Sequence, residues 1–301
     1  MAEKIIVNAP ATSANIGVCF DFAGIIIPDL YNTVEVEQAE SKNTVTVEGC
    51  GADVIPADEN CLTYRAFRRA FEYADRNCPF INMHCINRIP LNRGLGSSAA
   101  AALAGIFAAN KFLDGMLSDE DMLKLACEFE GHPDNAAPAI YGGAVITAYI
   151  NGEPIIRHIK LPKDMAAAVA IPEILLSTSV ARSVLPESYT RKDVVAAASV
   201  ASLAVDALVT GEYELMGKLI MQDVIHMPYR KSLIKGYDDV VNAALDAGAY
   251  GCVISGAGSA MIAFCKNREI AEIAKEAMIN AFRANGVCAS GLSSIIKKGG
   301  I

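Results

Sequence analysis

Pro90-Leu91-Asn92-Arg93-Gly94-Leu95-Gly96-Ser97-Ser98-Ala99 is the stretch on which the reading of this chain turns. A glycine-rich turn with two adjacent serines runs into an alanine-rich segment, which predicts a helix from Ala99 to about Leu113. Glycine lets backbone N–H groups approach an anion closely, and a helix N-terminus carries partial positive charge. Two hydroxyls at that point can bind phosphate oxygens or a phosphate-bound metal. The combination points to a nucleotide polyphosphate.

Three readings compete for the loop. A Walker loop requires Gly-x4-Gly-Lys-Ser/Thr, which occurs nowhere in the chain. A dinucleotide fingerprint is formally met by Gly94, Gly96 and Ala99, but it requires a second strand ending in an acid about 20 residues on. Here the helix leads instead into Ser118-Asp119-Glu120-Asp121, the start of another helix. The third reading is a glycine-softened helix start that binds nothing.

Composition narrows the classes. The chain has 301 residues, 52% of them hydrophobic, enough for one large domain or two modest ones. A net charge of −8 argues against nucleic acid as the main partner, so an anionic substrate must be held by local basic residues. Nine cysteines include no Cys-x-x-Cys pair, which reads as reduced thiols in a cytoplasmic protein with no zinc-ligand spacing. Ile5-Ile6-Val7 is too short for a signal peptide, and Gly94–Asn110 is too short and too small-residue-rich for a membrane span.

Periodicity predicts strands at Lys4–Ala9, Thr33–Gln38, Thr44–Glu48, Ile81–Ile86, Gly142–Ile150 and Ala166–Ile171. Further strands are expected at Tyr250–Ser255, Met261–Cys265 and Ser290–Ile296. Helices are expected at Leu62–Ala74, Asp119–Glu130, within Arg191–Val224 and at Glu269–Ala284. Gly152-Glu153-Pro154 is turn chemistry, and the softest boundary falls between there and Lys163. Interleaved helices and hairpins give an α+β class.

The loop resembles the phosphate loop of the galactokinase, homoserine kinase, mevalonate kinase and phosphomevalonate kinase family. Ala9-Pro10-Ala11-Thr12-Ser13-Ala14-Asn15-Ile16-Gly17-Val18-Cys19-Phe20-Asp21 resembles its first motif in the homoserine kinase form, and Ser255-Gly256-Ala257-Gly258-Ser259-Ala260 its third. The motifs fall in family order along nearly the whole chain. The resemblance implies two domains, residues 1–160 with a ribosomal-protein-like α/β fold and residues 161–301 with a ferredoxin-like fold, and a site in the cleft between them. Cys19 and Ser259 depart from the more usual Gly and Pro.

The same resemblance implies ATP and Mg²⁺ as cofactors and phosphorylation of the L-homoserine hydroxyl as the reaction, in a homodimer if the chain is not a monomer. Pro90, Arg93, Gly94, Leu95, Gly96, Ser97, Ser98 and Ala99 are expected around ATP, with Asn60 near the adenine. Ser98 and Glu128 are the expected metal ligands, with Glu128 read as the functional acid of Glu128-Phe129-Glu130. Asp134 and Asn135, in Gly131-His132-Pro133-Asp134-Asn135, stand at the catalytic position, Asp134 where relatives carry a general base. The substrate ammonium suits Asp21 and Asn15, its carboxylate Arg182 and Arg230, because arginine forks match carboxylates. His132 and Thr178 complete the acceptor site. Kinases for threonine or mevalonate, a non-catalytic metabolite sensor and a nicotinamide dehydrogenase are the alternatives.

Overall fold

The computed structural model describes residues 4–151 and 153–296. The chain opens with β1 (Ile5–Ala14), β2 (Ala23–Gln38) and β3 (Thr44–Gly49), followed by α1 (Leu62–Tyr73), β4 (Ile81–Asn87), α2 (Ser97–Phe112), α3 (Asp119–Glu130), α4 (Ala136–Tyr141), β5 (Ala144–Ile150) and β6 (Glu153–Ile159). The strands form a six-stranded mixed sheet ordered β3-β4-β2-β5-β6, with β1 paired to β2. β2 is the long central ribbon. Its register with β1 shifts between Pro10 and Ala11, leaving Pro28 in the unpaired stretch, where its missing N–H costs no ladder bond.

α2 is the core helix of this half. Alanine favours helix and adds little bulk, so other elements pack closely on every side of it. It contacts α1, α3, β1 and β2. Leu103 and Ile106 are fully buried there, with Phe67 of α1; each such side chain contributes about 1.5–3 kcal/mol. α3 starts with a capping box between Ser118 and Asp121 and ends at left-handed Gly131.

The second sheet begins at β7 (Ala166–Pro172). Helices α5 (Thr178–Ser183), α6 (Arg191–Thr210), α7 (Tyr213–Ile220), α8 (Met227–Arg230) and α9 (Tyr237–Asp246) precede β8 (Gly251–Ile254) and β9 (Met261–Cys265). α10 (Arg268–Ala284) and β10 (Ala289–Ile295) are the last elements among the described residues. The order is β10-β7-β9-β8, all antiparallel, which is the ferredoxin-like arrangement.

Two expectations change. Glu153 and Pro154 open a strand, β6, antiparallel to β5, instead of a turn; residue 152 lies outside the described residues. Crossing to the second sheet therefore happens between Ile159 and Ala166. The first half of β2 and the short helices α4, α5, α8 and α9 were not foreseen.

Candidate active site

A cavity of about 480 Å³ opens between the two sheets. The phosphate loop forms its floor. Left-handed Gly96 starts α2 without a side-chain cap or an acid in the first turn, so the first N–H groups of the helix face the cavity uncompensated. Both loop glycines are forced by contact: a Cβ on Gly94 would lie 2.0 Å from the Ser255 carbonyl oxygen, and one on Gly96 2.2 Å from Thr12 Oγ1.

All three motifs meet here. Thr12 N–H donates to Leu95 O, Gly256 N–H to Ala14 O and Ala260 N–H to Arg93 O. Asn15 Nδ2 donates to Gly256 O at 2.8 Å, and Ser255 Oγ donates to Gly94 O at 2.7 Å. The departures from the family pattern are accommodated: Ser259 is buried with Oγ donating to Ile174 O at 2.5 Å, and Cys19 is a buried thiol whose pKa burial pushes up to about 12.

Pro90, Arg93, Gly94, Leu95, Gly96, Ser97 and Ser98 all line the cavity; Ala99 is buried beneath the loop and does not. Asn60 is exposed and is not part of the lining either. Instead Ile55, Cys61, Leu62 and Leu91 make an apolar wall at that end, suited to a flat base.

The expected metal ligand is corrected. Glu128 points away from the cavity and forms a bidentate pair with Arg69 of α1, at 2.8 and 3.0 Å. Glu130 is the acid inside, accepting from Ser98 Oγ at 2.5 Å. Burial, more than any neighbour, pushes the Glu130 carboxyl above its ordinary value, and the Asp134 carboxylate adds to the effect. A cation beside Ser98 and Glu130 would relieve both. No cluster of three or more His, Cys, Asp or Glu set to hold a metal occurs among the described residues. Magnesium needs no such cluster, since it keeps several waters and arrives with the phosphates. The donor set therefore fits a nucleotide-bound Mg²⁺ at Ser98 and Glu130.

Left-handed Gly131 turns the chain after α3 and delivers His132, Asp134 and Asn135 to the cavity. The Asp134 side chain is buried; His132 Nδ1 and Asn135 Nδ2 both contact its Oδ1. The bond to Asp134 holds the His132 pKa above its ordinary value against the opposing effect of burial. Asn135 Oδ1 also accepts from Thr12 Oγ1, tying this turn to the first motif.

Asp21, Asn15, Thr178, Arg182 and Arg230 form the opposite wall. Asp21 adopts positive φ, stabilised because its N–H donates to Asn15 Oδ1 at 2.9 Å. Arg182 holds Asp21 with both Nη groups. Arg230 is almost wholly buried. It donates from Nε to Ala181 O and from Nη1 to Gly256 O, with Nη1 also 3.3 Å from His226 Nδ1. Arg230 has no carboxylate partner among the described residues, and burial lowers its pKa to about 10. It stays charged at neutral pH, a buried cation suited to an incoming anion.

Sequence reasoning missed the support behind these arginines. Phe20 lies beneath both, 5.7 Å from the Arg182 and 5.1 Å from the Arg230 guanidinium, and stacks on His226 at 4.9 Å. Asp223 accepts from the N–H groups of Ile225, His226 and Met227, fixing the start of α8. An aromatic beside an acid in Phe20-Asp21, and an acid three residues before His226, were the available signals.

Comparison with known proteins agrees with this fold. Residues 61–143 match the model described as GHMP kinases N terminal domain, and residues 204–292 match GHMP kinases C terminal. The chain is 42% identical over 271 residues to a homoserine kinase of Caldicellulosiruptor bescii, covering 89% of this chain and 87% of the relative. It is 39% identical to one of Moorella thermoacetica, covering 94% of each. The crystal structure of a homoserine kinase from Cytophaga hutchinsonii superposes with a TM-score of 0.92 at 31% identity, covering 100% of this chain and 97% of that one. An L. major mevalonate kinase in complex with R-mevalonate, at 15% identity and a TM-score of 0.72, shares the fold.

Proposed function

Because this chain belongs to the GHMP kinase family, we propose that it transfers the γ-phosphoryl group of ATP to the side-chain hydroxyl of L-homoserine. The product is O-phospho-L-homoserine, an intermediate of threonine biosynthesis. The observation that carries the reading is one cavity with an anion-binding helix start on one side and the Asp21–Arg182 pair beside the buried Arg230 on the other. The first side suits a polyphosphate and the second a zwitterion. Unpaired thiols throughout the chain support a cytoplasmic location.

Phosphoryl transfer depends on positioning and charge neutralisation more than on covalent chemistry. The N–H groups of α2 and the Ser98 hydroxyl receive the phosphate oxygens. Mg²⁺, held through Ser98 and Glu130, would neutralise charge on those oxygens. Arg230 and Arg182 take the substrate carboxylate, and Asp21 takes its ammonium. The homoserine hydroxyl then lies towards Asp134, whose carboxylate accepts its hydrogen bond and orients the oxygen for in-line attack. His132 and Asn135 fix that carboxylate by occupying Oδ1.

Coupled ADP release with homoserine, threonine and mevalonate as separate acceptors tests the reading. Homoserine should give the highest kcat/KM. ADP release that favours mevalonate, or that no acceptor stimulates, would overturn it.

A further inference from the structure

His226-Met227-Pro228-Tyr229-Arg230 makes a single helical turn. Arg230 N–H donates to the His226 carbonyl oxygen at 3.0 Å, which brings the two side chains to one face. His226 is wholly buried and Arg230 nearly so. The partners of the imidazole decide where its proton sits. Nε2 lies 2.8 Å from Gly17 O, a carbonyl that only accepts, so Nε2 carries the hydrogen. Nδ1 lies 3.3 Å from Arg230 Nη1, which only donates, so Nδ1 is a bare acceptor. Asp223 Oδ2, 3.7 Å from Nε2, favours the proton on the same side. Burial lowers the His226 pKa against the opposing Asp223 carboxylate, which keeps the ring neutral at neutral pH.

The donors of Arg230 are divided. Nε donates to Ala181 O, and Nη1 is shared between His226 Nδ1 and Gly256 O. Nη2 has no partner among the described residues. No fully buried side-chain nitrogen there lacks one, so Nη2 is open towards the cavity that Arg230 lines. Phe20 stacks on the imidazole and lies under the guanidinium, holding both planes in place. An imidazole with its proton on Nδ1 would set N–H against N–H, and the fork would have to turn away.

We propose that His226 is a positioning residue for the acceptor: as a neutral imidazole it accepts from Arg230 Nη1 at Nδ1 and so aims Nη2 at the substrate carboxylate. The proposal rests on the reading of Arg230 as the carboxylate receptor. His226 does not itself line the cavity.

Two measurements test it. Long-range proton–nitrogen NMR of the wild-type chain labelled in histidine reads the tautomer without substrate, the His226 signals being identified by their loss in His226→Asn. The neutral form protonated at Nε2 is expected at neutral pH. An imidazolium, or a proton on Nδ1, would overturn the proposal. In steady-state kinetics His226→Leu should raise the homoserine KM by about tenfold or more, with kcat and the ATP KM within about twofold. His226→Asn, whose Oδ1 stands in for Nδ1, should bring the homoserine KM back to within about threefold of wild type. Equal homoserine KM values in the two variants, or a His226→Leu protein that loses kcat and ATP affinity alongside, would mark a packing residue and overturn the proposal. Arg230→Lys separates the two readings. If it leaves the homoserine KM unchanged, the receptor reading falls and this proposal with it. If the KM rises in Arg230→Lys but not in His226→Leu, this proposal alone falls.

Discussion

Arg182 grips both carboxylate oxygens of Asp21, each at 3.0 Å, so two groups suited to a zwitterionic substrate neutralise each other across the cavity. Their side chains are 41% and 34% exposed, and an ion pair that open to water contributes only about 0–1 kcal/mol. The pair is cheap to separate. Homoserine can insert between the two, its ammonium replacing the guanidinium on Asp21 and its carboxylate replacing Asp21 on Arg182.

The pairing limits how strongly the site rejects a substrate without an amine. With 4-hydroxybutyrate no ammonium competes for Asp21, so Arg182 can stay on Asp21 and leave the carboxylate to Arg230, and Asp21 is not left bare. The loss is then one charged hydrogen bond, about 1.5–3 kcal/mol, or roughly 10- to 100-fold in kcat/KM. Asp21→Asn should narrow that ratio while lowering homoserine activity. Equal use of the two compounds by the wild type would remove Asp21 from the ammonium site.

Glu130→Gln and Glu128→Gln form a matched pair. Glu130→Gln should lower kcat by about 100-fold or more, as expected if it holds the cation that neutralises charge on the transferring phosphate. Glu128→Gln should leave kcat within about twofold and cost at most about 1 kcal/mol, because its pair with Arg69 is solvent-exposed. Steady-state kinetics and thermal unfolding of both variants decide the matter. The reverse pattern would return the role to Glu128.

Arg230 is buried and forked, so lysine cannot replace it. Arg230→Lys should raise the homoserine KM by about 30-fold or more, within the 2–5 kcal/mol typical of a broken buried charge pair, and change the ATP KM little. Equal losses for both substrates would indicate a folding defect instead of a carboxylate receptor.

His132 gives a pH signature. Its folded pKa is raised, first by the bond to Asp134. The stability it contributes is therefore fully present below its unfolded value near 6.5 and is lost as pH rises through the higher folded value. Asp134→Asn should return the His132 titration, followed by its imidazole NMR resonance, to about 6.5 or below. An unchanged titration would mean that another group holds the proton.

How much was legible depended on local chemistry. Asp119–Glu130 was readable to the residue because Ser118 caps it and Gly131 stops it. β6 was hidden because Pro154 resembles turn chemistry but occupies the second position of an edge strand, where a missing N–H is tolerated. The first half of β2 was hidden by Pro28, which its bulge absorbs.

Which acid faces the cavity was legible in the sequence. Met122, Leu123 and Ala126 mark the inward face of α3, and Glu130 follows Ala126 by four residues, on that face. Glu128, two residues earlier, turns about 200° away. Asn60 offered no such clue, since the apolar wall beside it is assembled from three separate segments. The Phe20–His226 stack joins residues far apart in sequence, which no local pattern reveals.

The clasp between the first and third motifs has a consequence for how the chain matures. The bond from Asn15 to Gly256 spans 241 residues. Contacts of such separation form late in folding, because the loop must close before the contact repays it. The nucleotide loop is clamped from both sides by these segments, so a nascent chain still lacking residues 255–260 has no finished place for phosphate. Nucleotide then recognises only completed molecules and stabilises them by mass action. In a cell, the ATP pool would act as a late-stage chaperone for this fold, favouring finished chains over those still held up on the way.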